Sequence, residues 1–337
     1  MKKPILQMLY MGALALLCLT ACERRPLEEP TYGNTALVPV KIDWSKSGIS
    51  VSQPRGDDYV HRVSIRFFPK DGSEVFDRYL EGEVTEGTIE VPVGKYSVVV
   101  FNEAVTDPYW SNSVYFTDVN DYTNFAANIA DDDPTLYPFY TLLPNEKIVV
   151  EPLKLASWSM DDFEITPGMT RELCGPSEME GVTTALTKIV MHQLTYNINV
   201  LAEVENLSSA QFIQGATRGF ANKVFMASRV TTQSPTTHIF TFNGRKWAEG
   251  SDRNGTTEKD FLSFGLLPAL SQYLLHMDVL FGTGELYQPV EPLLYDVSDQ
   301  ANSYVNSNIN LRVKLALPYK EGGIDVGGWE DEDHIVN

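Results

Sequence analysis

The residues with the clearest chemical meaning are Leu19-Thr20-Ala21-Cys22, which close an apolar run beginning at Ile5. Small residues directly before a cysteine are what a lipoprotein-processing peptidase requires, and the cysteine thiol is the group that receives acyl chains. Lys2 and Lys3 give the positive start of an export signal, and residues 6–19 its apolar centre. That centre is shorter than the ~20 apolar residues needed to cross a ~30 Å hydrocarbon core. The pattern predicts a signal over residues 1–21, cleavage before Cys22 and lipidation of Cys22. No later stretch is long and apolar enough to span a bilayer.

The rest of the chain offers little catalytic chemistry. Cys18 leaves with the signal and Cys22 is acylated, so Cys174 stands alone in a turn-like setting before Gly175 and Pro176. A lone thiol forms no internal disulfide, and the fold must rest on packing. The five histidines (His61, His192, His238, His276, His334) lack paired ligand spacing. There is no phosphate-binding glycine loop, no Gly-x-Ser-x-Gly elbow and no His-Glu-x-x-His. Asp131-Asp132-Asp133 lacks the alternation and glycine of a calcium loop and reads as a solvated run. No enzyme, cofactor or metal is expected. Arg55-Gly56-Asp57 matches an adhesion tripeptide in a loop. Tyr109 and Trp110 follow Pro108 in a second loop, where they could stack on a sugar or cover the end of a β-sandwich.

Loss of residues 1–21, with Lys2 and Lys3, leaves 316 residues and takes the formal charge from −19 to −21. So acidic a chain is not expected to bind nucleic acid, or to adhere electrostatically to anionic lipid. Membrane attachment would come from acyl chains, each buried methylene contributing roughly 0.8 kcal/mol.

The elements that would position these groups are strands. Residues 22–35 are polar and proline-bearing, a tether. Residues 36–44 alternate apolar and polar side chains, with Pro39 marking an edge strand. In residues 59–68, Val63, Ile65 and Phe67 share one face, and Arg62, Ser64 and Arg66 the other. Residues 75–80 return after a Pro69–Gly72 turn. Residues 88–101 read as a hairpin bent at Gly94-Lys95, ending in a buried valine run. Residues 109–144 read as irregular and 147–155 as a strand. Between residues 156 and 182, Gly168, Gly175 and Pro176 break every period, and a domain boundary is expected there. Residues 194–204 form an anchor strand with Tyr196, Ile198, Val200, Ala202 and Val204 on its apolar face. Residues 208–229 fit either a helix or a strand, with Gly215 and Gly219 penalising the helix. Further strands are expected over 238–242, 259–267, 272–281 and 308–317. The chain is thus mainly β, with two sandwich-like domains in tandem, 36–160 and 180–320. An acidic tail at 321–337 has six carboxylates and no lysine or arginine.

Five features form a set: the lipobox, the Phe67–Gly72 strand end, Val91-Pro92-Val93-Gly94-Lys95-Tyr96, the Leu194–Val200 strand and Gly322-Gly323-Ile324-Asp325-Val326-Gly327-Gly328-Trp329. Together they resemble an uncharacterised family of Bacteroidales lipoproteins related to fimbrillins and to fimbrial anchor and accessory proteins. The resemblance implies transthyretin-like sandwiches, an outer-membrane, surface-exposed location and partnership with fimbrial subunits through β-strand pairing; for the arginine-specific cleavage of fimbrillins, Arg55 is the one well-placed residue. The other reading of the residues is a surface protein that binds a glycan, or a host surface, through exposed aromatics. An open sheet edge would favour the first reading and an exposed aromatic surface the second.

Overall fold

The computed structural model describes residues 34–51, 60, 62–103, 113–140, 146–170, 186–232, 234–269 and 272–320. Nineteen strands run through them. The first half holds β1 (Thr35–Asp43), β2 (Arg62–Pro69), β3 (Phe76–Glu81), β4 (Glu86–Pro92), β5 (Gly94–Glu103), β6 (Val114–Thr117), β7 (Ala126–Ile129) and β8 (Ala156–Ile165). Two short strands follow, β9 (Ile189–Val190) and β10 (His192–Gln193). The second half holds β11 (Tyr196–Glu205), β12 (Ala210–Ala221), β13 (Lys223–Phe225), β14 (Pro235–Thr241), β15 (Gly244–Trp247), β16 (Gly255–Ser263), β17 (Leu274–Phe281) and β18 (Leu294–Asp296). A one-turn helix α1 (Ser298–Asn302) leads to the last strand, β19 (Asn308–Ala316).

In the first half, a three-stranded sheet of order β4-β1-β9 and a five-stranded sheet of order β10-β8-β5-β2-β3 enclose one core. Val38 and Ile89 enter it from the first sheet, and Val63, Ile65, Phe67, Val98 and Val100 from the second. In the second half, sheets β15-β16-β11-β19 and β14-β12-β17-β18 enclose a second core. Ile198, Val200, Ala202 and Val204 point into it from β11, and Ile309, Leu311, Val313 and Leu315 from β19. Each fully buried aliphatic side chain of this kind contributes about 1.5–3 kcal/mol. A third core joins the halves: Val99, Phe101, Phe125 and Ile129 of the first pack with Val224, Met226 and Phe264 of the second. Above it β13 adds to β7 and β6 in one small sheet.

Several sequence expectations are corrected. Residues 88–101 do form two strands, but not a hairpin. β4 pairs with β1 (Val38↔Ile89), whereas β5 pairs with β2 (Ile65↔Val100) and β8 (Val99↔Ser159). The chain crosses from one sheet to the other at Val93. Tyr96 donates its hydroxyl to the Pro92 carbonyl at 2.9 Å, and the ring occupies the space a side chain at Gly94 would need. Residues 147–155 make only isolated bridges, at Ile148 and Val149. The strand lies at β8, inside the stretch where a boundary was expected, and it runs past residue 160. β9 and β10 pair with β1 and β8 respectively, so first-half pairing continues to Gln193. Residues 109–144 contain β6 and β7. Within residues 208–229, 210–221 and 223–225 are extended, with a bulge at Gly219, whose φ of +108° suits glycine.

Candidate functional site

His61 and His334 lie outside the described residues, and the three described histidines make no catalytic set. His238 is buried, with Nε2 3.1 Å from Ser263 Oγ, and burial pushes its imidazole down to about 3. His276 Nδ1 lies 3.5 Å from Asp278 Oδ2; burial pushes this carboxyl up and the imidazole down. Among the described residues no three metal-ligating side chains cluster. The aspartate run is used locally: Asp131 pairs with Lys147 at 2.8 Å, Asp132 accepts from the Tyr137 hydroxyl, and Asp133 caps the turn after it. Cys22, the Arg55-Gly56-Asp57 loop, Tyr109, Trp110, Cys174 and the acidic tail lie outside the described residues.

The structure brings together sheet edges and a seam between the two halves. The seam is polar as well as apolar. Ser157 and Ser159 of β8 donate to the Met226 and Ala227 carbonyls, each at 2.8 Å, and the Leu262 amide donates to Glu151 at 2.8 Å. Glu146 is the centre of a buried cluster. It accepts from Tyr140 (2.7 Å) and Thr237 (2.6 Å) and pairs with Arg218 Nε at 2.9 Å, the two charged side chains being 7% and 15% exposed. Burial, and then the bond to Glu146, push the Tyr140 hydroxyl well above its ordinary value. Removing one member of such a cluster leaves its partners unsatisfied in a dry setting, which fixes Tyr140 and Glu146 against β12 and β14. Residues 147–149 also bond to the backbone of Thr237 and so cover the outer edge of β14.

At β19 the outer edge is occupied by side chains. Gln300 of α1 donates to the Arg312 carbonyl at 3.0 Å and accepts from the Arg312 amide at 2.6 Å. Its carboxamide thereby takes the place a neighbouring strand's peptide group would have. The Tyr295 hydroxyl donates to the Lys314 carbonyl at 3.1 Å, and Val305 bonds both ways with Asn308. Side chains thus cap this edge at Arg312 and Lys314, and the turn at Val305 caps it at Asn308.

β1 differs. Ile42 donates to the Thr85 carbonyl at 2.7 Å, so the even-numbered residues of β1 face β4, and Thr35, Leu37, Pro39 and Lys41 present their backbones to the other side. There Lys41 donates to the Leu186 carbonyl, and β9 pairs only with Ile42 and Asp43. Among the described residues nothing pairs with the backbone of Thr35 to Pro39 on that side. Pro39, read as an edge marker, stands with its ring nitrogen facing outward, where no ladder bond to β4 is lost. Leu37, next to it, is 60% exposed. No helix among the described residues is long and apolar enough to cross a membrane.

Residues 21–241 match the family described as a domain of unknown function, DUF5119. The chain belongs to this family. A 91-residue stretch is 38% identical to a Bacteroides ovatus protein provisionally named fimbrium anchoring subunit Fim4B. That stretch is 26% of this chain and 23% of the relative, so the chain spans about a quarter of the relative's length. In fold, it is similar to the crystal structure of a provisionally named adhesin from B. ovatus, with a TM-score of 0.55 at 15% identity, over 88% of this chain and 99% of that one. The fimbrial anchor protein Mfa2 from Porphyromonas gingivalis is matched with a TM-score of 0.44 at 12% identity, over 84% of this chain and 90% of that one. The mainly β fold expected from the sequence is the fold observed.

Proposed function

We propose that the protein is a non-enzymatic surface lipoprotein that serves as an anchor or accessory subunit of fimbriae. In this reading the acylated Cys22 holds it to the outer membrane, and residues 22–35 tether two sandwich domains, 36–160 and 180–320, whose seam extends the first to Gln193. A partner subunit adds a strand along the outward edge of β1. The observation that carries the reading is the outward backbone from Thr35 to Pro39, which no described residue pairs with, whereas Gln300 caps the β19 edge at Arg312. Strand addition supplies affinity through main-chain hydrogen bonds and selectivity through alternate side chains. The name of the 38%-identical relative points to the same role.

The test exploits the direction of the backbone. Leu37→Pro removes an amide that bonds nothing in the β1–β4 ladder, so the melting temperature should stay within a few degrees of wild type while recovery of fimbrial subunits with the protein falls away. Val38→Pro removes a ladder donor and serves as the unfolding control. Assembly unaffected by Leu37→Pro would sink the edge assignment. Cys22→Ala should shift the protein from the detergent phase to the aqueous phase.

A further inference from the structure

A cleft of about 310 Å³ opens at the seam. Gln193 enters it from β10, Tyr196 from the start of β11, Arg229 and Thr231 from the turn after β13, Phe264 from the end of β16, and Tyr304 from the segment after α1. Its size is at the small end of small-molecule sites (~300–1,000 Å³), room for a single ring rather than a peptide segment. Turns and strand ends form its walls and offer no run of main-chain groups for a peptide to pair with.

Two observations point to a ligand. The first is an aromatic corner. The Tyr196 and Tyr304 rings stand 5.4 Å apart at 76°, and Tyr304 is 44% exposed. Tyr196 rests on Gly265, which has φ +86° and where any side chain would collide with the ring. Burial and the neighbouring Tyr304 push its hydroxyl up to about 12, so it remains a neutral donor. The second is Arg229. Its φ is +59°, in a turn closed by its own amide bonding to the Phe225 carbonyl at 2.8 Å and by Phe225 bonding to Val230 at 3.0 Å. Glycine or asparagine usually fills such a position, because a side chain there crowds the backbone. An arginine stands there nonetheless, and its guanidinium makes no hydrogen bond or ion pair with the described residues. Among the described residues, Arg229 is the one charged side chain that lines the cleft, on a chain of net charge −19; it and Lys46 both act electrostatically on His192, with Asp43 as the acid near Lys46.

We propose that this cleft binds a carboxylate-bearing sugar ring, one face against the Tyr196–Tyr304 corner and the carboxylate on the Arg229 guanidinium. Aromatic faces suit the C–H face of a pyranose, and a planar guanidinium takes a carboxylate through two parallel hydrogen bonds. Fixing the arginine in a left-handed turn limits its directions of approach. The inference does not depend on the β1 edge.

Titration of the full chain with glucuronic acid, galacturonic acid and an oligogalacturonate, followed by calorimetry and saturation-transfer NMR, tests it. The acidic sugars should bind at least tenfold more tightly than glucose or galactose, with saturation strongest on the ring protons. Arg229→Gly should abolish that preference while raising the melting temperature, a combination that loss of folding cannot produce. Tyr304→Ala should weaken acidic and neutral sugars alike, and Leu37→Pro should change nothing, so this inference and the strand-edge reading fail separately. Equal binding of neutral sugars, no binding of any acidic sugar, binding of a polyglutamate peptide instead, or full affinity in Arg229→Gly would each overturn the proposal.

Discussion

His238 gives a stability prediction whose size follows from its surroundings. The ring is 3% exposed, touches Ser263 Oγ at 3.1 Å and lies against Phe261 with centroids 5.3 Å apart. No carboxylate is among the causes of its shift; burial alone pushes the imidazole down to about 3, from an unfolded value of about 6.5. A base whose folded value is depressed contributes stability above the unfolded value and loses it as pH falls, because the unfolded chain takes up the proton first. Between about pH 7.5 and about pH 5, His238 should therefore withdraw about 2 kcal/mol from the folding free energy, with a limiting slope of roughly 1.4 kcal/mol per pH unit. His238→Gln does not titrate. It should be less stable than wild type near pH 7.5, through poorer packing, yet close that gap by about 2 kcal/mol near pH 5. Urea unfolding followed by tryptophan fluorescence at a series of pH values measures both chains. A gap that stays constant across the series, or a His238 imidazole NMR signal titrating near pH 6 in the folded protein, would refute the reasoning.

Two further perturbations follow from the same structure. Val200→Asp places an unpaired charge at a fully buried position in the β11–β19 core and should cost roughly 4 kcal/mol, read as a lowered melting temperature or as insoluble protein. Gln300→Ala removes both bonds to the Arg312 peptide. It should cost about 1–2 kcal/mol and, by baring the β19 edge, should produce concentration-dependent self-association on size exclusion that wild type does not show.

Strands with one face in water and the other in a core were the legible part of the fold. β1, β11 and β19 alternate buried and exposed side chains as their sequences do. Pairing partners were not legible. A hairpin and a crossover between sheets have the same alternation, and only the pairings of β4 with β1 and of β5 with β2 and β8 show which one residues 88–101 adopt. β6 and β7 were missed because four residues carry too little periodicity, and β8 because Asp161 and Asp162 interrupt its apolar pattern near the far end. Tyr196, expected inside, is only partly buried: its ring packs on Gly265 and Tyr304 at the seam. The cleft had no sequence signal, since an arginine at positive φ looks like any other arginine until the turn around it is known.

Edges show why the candidate site was half readable. Pro39 announced itself, because a missing N–H is a property of the residue. Gln300 did not, because a glutamine closes an edge only when the fold delivers its amide to a peptide group. The two devices also differ in consequence. A side-chain amide at Arg312 satisfies donor and acceptor together and leaves an incoming strand nothing to bond at that residue. Proline at position 39 removes one donor but leaves its carbonyl and the donors of Thr35 and Leu37 facing outward. On the proposed mode, a strand added beside β1 would have one carbonyl opposite Pro39 without a donor. A buried unmet acceptor costs about 1–3 kcal/mol, so the register of addition should be the one that turns that carbonyl to water. Main-chain pairing at so short an edge is weak by itself. Selectivity would then rest on the exposed Leu37 side chain and on what the partner sets against it.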